Sequence, residues 1–156
     1  MITILALDMS STTIGWVLLR DGGVADHGTQ VLAGHIGHRC CLARAYVAAL
    51  LRVHPDLDMA AVESPVGRFV KAVIPQARVS GAVLGLFDQH EIATVEIAPA
   101  AAKMALTGRG DANKGAVLLA CHQAGFAAGS EHEADAYAVA IAAGRLSIMK
   151  EDAHGA

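Results

Sequence analysis

Residues 4–19, Ile-Leu-Ala-Leu-Asp-Met-Ser-Ser-Thr-Thr-Ile-Gly-Trp-Val-Leu-Leu, constrain the fold more than any other stretch of the chain. They read as two apolar strands joined by a hydroxyl-rich turn. A single carboxylate, Asp8, stands where the first strand ends. An ionised Asp at the tip of an apolar strand is costly to bury unless something positive meets it. A metal ion is one answer, and a turn or cap role for an Asp-x-Ser segment is the other. What this chain does therefore depends on which residues converge on Asp8.

The remaining segments supply the candidates. Residues 2–8 and 12–20 are the first two strands, Asp21-Gly22-Gly23 is a hairpin turn, and 24–32 is a third strand. Gly34–His38 reads as a loop. From Arg39 to Val53 the period becomes helical, with Leu42, Tyr46, Ala49, Leu50 and Val53 on one face, and His54-Pro55 ends it. Met59–Glu63 is a short apolar strand that also ends in a carboxylate. After Ser64-Pro65-Val66-Gly67, a helix rich in small residues runs over 74–89, with Pro75 in its first turn. Residues 92–97 form a fifth strand, and Pro99 opens a short helix to Leu106. A loop at 107–111 precedes a helix over 112–124. Ser130-Glu131-His132-Glu133 has the form of a capping box and opens an Ala-rich helix to Ser147. This predicts one domain over 1–148, with a loose tail at 149–156. The order βββαβαβααα implies an α/β fold, a mixed five-stranded sheet with helices on both faces. Sites in such sheets form at the carboxyl ends of strands.

Composition narrows the class. With 156 residues and 54% hydrophobic content, the chain can bury a substantial core. No unbroken apolar run suits a membrane span, so no membrane is expected. Three cysteines and an N-terminus that begins directly as a strand favour reduced thiols in the cytoplasm. The net charge of −3 is not the footprint of a strongly basic nucleic-acid binder. His35-x-x-His38 beside Cys40-Cys41 invites a zinc site, but adjacent cysteines are poorly placed to chelate one ion, and a loop followed by helix-packing thiols is the preferred reading.

Asp8 ends the first strand and Glu63 the fourth; neighbouring central strands would set them side by side. The last helix adds Asp135, with His132 three residues earlier on the same face. Three carboxylates and an imidazole are too much negative charge to leave unpaired. Such oxygen-rich sites suit Mg²⁺ or Mn²⁺, and two such ions activate water and stabilise the leaving oxygen in phosphodiester cleavage. Spacing by itself leaves solvated helix caps as the alternative.

At these residues the chain resembles the RuvC family of Holliday junction resolvases, within the RNase H-like nuclease superfamily. The resemblance is carried in order by Leu5-Ala6-Leu7-Asp8-Met9-Ser10 with Thr13-Ile14-Gly15-Trp16, by Ala61-Val62-Glu63-Ser64-Pro65, and by Gln76-Ala77-Arg78-Val79-Ser80-Gly81-Ala82. It continues through Ala98-Pro99-Ala100-Ala101-Ala102-Lys103, Thr107-Gly108-Arg109-Gly110, Ala112-Asn113-Lys114, and His132-Glu133-Ala134-Asp135-Ala136 with the helix after it. The resemblance implies an RNase H-like fold and a homodimeric endonuclease that nicks opposed strands of a four-way DNA junction. It implies Mg²⁺ as cofactor, with Mn²⁺ substituting and two ions per site, and branch-migration proteins as further partners. Asp8, Glu63, His132 and Asp135 match the family's catalytic acids and their variable fourth position, where some members carry Asp and others His. Lys103 and Lys114 match lysines that contact phosphate, Lys114 also acting in catalysis. The Gly108-Arg109-Gly110 loop would bring Arg109 to the backbone. Arg68, Lys71 and Arg78 would extend the basic stripe. The chain departs from the pattern after Glu63: Ser64–Arg68 intervene before Phe69, the candidate for an aromatic that wedges at the junction centre. Two other readings compete: an RNase H-like enzyme acting on RNA, resembling the YqgF proteins, and a catalytically silent nucleic-acid-binding module. An actin-like sugar kinase, whose phosphate loop Asp8–Thr13 also resembles, needs a much longer chain.

Overall fold

The computed structural model describes residues 2–67 and 69–154, with side chains through Ile148. Five strands and five helices follow in the expected order. They are β1 (Thr3–Met9), β2 (Thr13–Arg20), β3 (Gly23–Val31), α1 (Ile36–Val53), β4 (Met59–Glu63), α2 (Val70–Gln89), β5 (Thr94–Ile97), α3 (Pro99–Thr107), α4 (Lys114–Gln123) and α5 (Glu131–His154). The strands form one sheet in the order β3-β2-β1-β4-β5, so β1 is central. β1 pairs antiparallel with β2 and parallel with β4, which makes the sheet mixed. The parallel pairing sets Leu7 beside Val62, so the next residue of each strand, Asp8 and Glu63, emerges at the same edge.

Alternation along the strands explains the layers. Ile4, Ala6, Val17, Leu19 and Ala61 pack on one face with Ala136, Val139, Ala140 and Ala143 of α5, and with α3 and α4 behind it. Leu5, Leu7, Met9, Ile14, Trp16 and Val62 point to the opposite face and meet Ala43, Val47 and Leu50 of α1 and Val79, Val83 and Phe87 of α2. A strand buried on both faces has to be apolar throughout, and β1 is, apart from Thr3 near its start and Asp8. By the same alternation, Asp8 lies on the face of Ile4 and Ala6, toward α5. Trp16 is a core residue, and its indole N–H donates to the Tyr46 hydroxyl at 2.9 Å.

Three boundaries differ most from the sequence reading. α1 begins at Ile36 inside the expected loop, because the His35 ring accepts from the His38 N–H at 3.3 Å and caps the helix. α2 begins at Val70, so Pro75 lies inside the helix and not in its first turn. The proline removes the bond to the Lys71 carbonyl, which is tolerated because Lys71 is exposed to water. α5 continues to His154, past the point where a loose tail was expected. By length and composition α2 could also cross a membrane, with a mean hydropathy of 1.2. Here it packs against α1 and the sheet through Val79, Val83, Leu86 and Phe87.

One glycine sets how closely α5 approaches the sheet. Gly15 on β2 pairs with Asp8 across the antiparallel ladder. A Cβ at Gly15 would stand 2.3 Å from the His132 carbonyl carbon and 2.5 Å from its Cβ. Bare backbone at this position therefore lets the first turn of α5 lie directly on β2, opposite Asp8. Gly15→Ala is expected to destabilise the protein by about 3 kcal/mol, the upper end for overpacking, because the clash is with backbone and not with a flexible side chain. Urea unfolding of the two proteins measures this; an unchanged midpoint would contradict the close approach.

Candidate active site

Three elements deliver the acidic cluster. Asp8 comes from the end of β1, Glu63 from the end of β4, and His132 and Asp135 from the first turns of α5. Asp8 is buried at 6% exposure, its Oδ2 2.7 Å from His132 Nδ1. Glu63 emerges beside Asp8 at the same edge of the sheet. Burial, and then the charges of Asp8 and Asp135, push its carboxyl up to about 8. Asp135 is also raised, by burial and then by Asp8, against the pull of Lys103, His132 and Lys114. The contact with Asp8 raises His132 above its ordinary value, outweighing its partial burial.

The basic residues divide into three groups. Lys103 on α3 and Lys114 at the start of α4 stand close enough to the cluster to act on its carboxyls, Lys103 on Glu63 and both on Asp135. Lys114 is paired with Glu131 at the start of α5, which holds its ammonium above the usual value. Arg109, on the loop before α4, forms a two-point pair with Asp111, at 3.2 and 3.1 Å. Lys71 and Arg78 are exposed on α2, on the far face of the sheet from α5. Phe69 caps the start of α2 and is 76% exposed, with Val66, Val70 and Ile74 also exposed nearby. Arg68 lies outside the described residues.

Sequence reasoning did not find the acidic partners of Arg109 and Lys114, because an ion pair between loop or helix ends leaves no periodic signal. It also assigned Glu133 only a capping role, whereas the side chain is buried against β3. The signal available was Gly15, a glycine inside an apolar strand, which marks a close approach from another element.

Whether the cluster suits a metal can be judged from its donors. Among the described residues, no three His, Cys, Asp or Glu side chains stand ready to grip one ion. His132 is turned on Asp8 instead. Carboxyls raised by burial and by neighbouring negative charge mark a place where positive charge is wanted. Three carboxylates and one imidazole fit a hard divalent cation that takes oxygen ligands. His35, His38, Cys40 and Cys41 form no such set either; the three cysteines are free, and His35 serves as a helix cap.

A mixed sheet carrying acids at the tips of β1 and β4, closed by an acidic final helix, defines an RNase H-like nuclease architecture. The family model for crossover junction endodeoxyribonuclease RuvC matches residues 4–143. The chain belongs to the RuvC family. Its fold is similar to that of Thermus thermophilus RuvC, with a TM-score of 0.82, 22% identity, and 96% and 97% of the two chains covered. The T. thermophilus RuvC structure in complex with a Holliday junction substrate gives a TM-score of 0.85 over the same coverage. The yeast mitochondrial Holliday junction resolvase Ydc2 is similar at a TM-score of 0.61 and 9% identity, covering 89% of this chain and 77% of that one. Among curated proteins, none matches this sequence.

The raised acids give the metal-free protein a distinctive pH dependence. Between the ordinary carboxylate value and about 8, Glu63 holds a proton in the folded chain that the unfolded chain has lost. Stability therefore falls as pH rises through that window. Raised Asp135 acts with the same sign, and so does His132, whose stabilisation is complete below its ordinary value and lost as pH rises through its folded one. In EDTA, the melting temperature should fall from about pH 5 to about pH 8, and added Mg²⁺ should raise it more at the higher pH. A melting temperature in EDTA that rises over this range would contradict the raised carboxyls of Glu63 and Asp135.

Proposed function

We propose that this chain resolves four-way DNA junctions by metal-dependent phosphodiester cleavage, as a homodimer, with Asp8, Glu63, His132 and Asp135 holding the metal. The observation that carries the reading is the meeting of three carboxylates from β1, β4 and α5, two of them, Glu63 and Asp135, raised above their usual values by burial and then by the charge of Asp8. When bound, two Mg²⁺ or Mn²⁺ ions activate a water and stabilise the leaving oxygen. The residues of the chain do the rest. Asp8 is the most buried donor and orients the His132 ring through Nδ1. Glu63 gives up its proton on loading and becomes a donor. Lys114 and Lys103 lie beside the cluster and suit the scissile and adjacent phosphates as compact positive charges. Arg109 on its glycine-flanked loop, and Lys71 and Arg78 on α2, contact phosphates further out. Phe69 stacks on an unpaired base at the junction centre.

Two nicks in opposed strands need two sites, which a two-fold dimer supplies. Membership of a DNA-processing family and three free cysteines support a cytoplasmic enzyme, working with branch-migration proteins.

Synthetic four-way junctions, linear duplexes and RNA–DNA hybrids incubated with Mg²⁺, Mn²⁺ or EDTA test the reading. Paired, metal-dependent nicks in the junction alone are expected; preferential cleavage of RNA would replace it with an RNA-processing role. Asp8→Asn should lower the cleavage rate about a thousandfold, about 4 kcal/mol of transition-state stabilisation, while the protein still binds junctions. Full activity in Asp8→Asn would remove the site assignment. Phe69→Ala should weaken junction binding by about tenfold and leave the melting temperature unchanged, since the ring is exposed and base stacking contributes about 1–3 kcal/mol.

A further inference from the structure

Glu133 stands between His132 and Asp135 in the first turn of α5, yet its carboxylate faces away from the acidic cluster. It is 5% exposed. Its Oε2 lies 2.7 Å from His27 Nδ1 and accepts from the Gly129 N–H at 2.9 Å. Its Oε1 accepts from the Thr29 hydroxyl at 2.8 Å. Ser130 completes the arrangement, accepting from the Glu133 N–H at 3.1 Å and meeting Thr29 Oγ1 at 2.7 Å. The His27 ring in turn lies edge-on to Phe126, with centroids 5.1 Å apart. A capping box needs only the helix's own N–H groups. Here two side chains of another strand, β3, join in, and a buried carboxylate is retained only where such bonds compensate for lost hydration.

We infer that Glu133 is the positioning residue of the site, clamping the first turn of α5 to β3 so that His132 and Asp135 are presented to Asp8 and Glu63. The inference rests on the proposed metal-binding role of those four residues. The rest of the buried face of α5 is mostly alanine, Ala134, Ala136, Ala138, Ala140 and Ala143, with Tyr137 and Val139 the larger side chains among them. Methyl groups allow close approach, but they offer shallow ridges against rotation of the helix about its axis. Successive residues are about 100° apart around a helix. A rotation that takes Glu133 off β3 therefore swings His132 off Asp8. Gly15 lets the His132 backbone settle on β2, and Glu133 fixes the helix from the other side, on β3.

The test measures Mn²⁺ affinity from the free-ion signal in electron paramagnetic resonance, and the His132 ring nitrogens by NMR in EDTA. Glu133→Ala, shown to be folded by circular dichroism, should bind Mn²⁺ about tenfold more weakly, the lower end for residues that orient metal ligands. Its His132 ring signals should move in EDTA. Glu133→Gln, with its amide oxygen in the place of Oε2, keeps the acceptor for Gly129 and His27 and turns its NH2 toward the Thr29 hydroxyl, which can accept, and should stay within about threefold of wild type. If Glu133→Ala does not fold, Thr29→Val decides: it removes one bond to the same carboxylate and should weaken Mn²⁺ binding by about threefold. Folded variants with wild-type Mn²⁺ affinity and unmoved His132 signals would reduce Glu133 to a cap. Glu133→Gln as impaired as Glu133→Ala would also overturn the clamp, pointing to the charge itself. Failure of the wild-type protein to bind Mn²⁺ would remove the metal reading, while the His132 signals in EDTA would still judge the clamp.

Discussion

A carboxylate buried at the end of the central strand is the constraint from which the rest of this structure follows. Burying Asp8 among Ile4, Ala6 and the alanines of α5 requires compensation. His132 supplies part of it, with Nδ1 2.7 Å away. Beside it, Glu63 is raised by burial and then by the charges of Asp8 and Asp135, and Asp135 by burial and then by the charge of Asp8. A single positive ion would relieve both together. A fold held together by this region would be weak. The stability comes instead from the two apolar layers on either side of β1, which leave the cluster free to be electrostatically unfavourable until a ligand arrives.

The same two layers account for what was legible in the sequence. Strand β1 is apolar because both its faces are covered. The helical period of α1 was legible but its face was not: the buried stripe is Ala43, Val47, Leu50 and Leu51, and Val53, expected on it, is 67% exposed. Element order and sheet composition follow from such patterns. Asp8 and Glu63 were identifiable because each interrupts an apolar strand at its tip, and His132 and Asp135 because they share a helix face. What was not legible depends on contacts between elements far apart in the chain. His35 caps α1 although histidine is not a preferred cap, so the early start of that helix carried no signal. The start of α2 was displaced because Pro75 resembles a first-turn proline, and only an exposed carbonyl at Lys71 makes an interior one tolerable. Glu133 fitted a local capping pattern so well that its long-range bonds to His27 and Thr29 were hidden behind it.

The negative net charge can be reconciled with a phosphate-binding role through where the charges sit. Net charge governs long-range attraction, whereas at physiological salt a charge acts over about 8 Å. Lys103 and Lys114 stand close enough to the acidic cluster to pull on Asp135 itself. Lys114 is held by Glu131, and Arg109 by Asp111, in pairs that are exposed to solvent. Exposed pairs contribute little to stability, so a phosphate oxygen reaching either cation exchanges one anionic partner for another at small cost. In the proposed role, the pairs would leave the free surface less positive than the count of Lys and Arg suggests. Nonspecific attraction to any polyanion would thereby be reduced, and the gain on binding concentrated where a backbone reaches several of these cations at once.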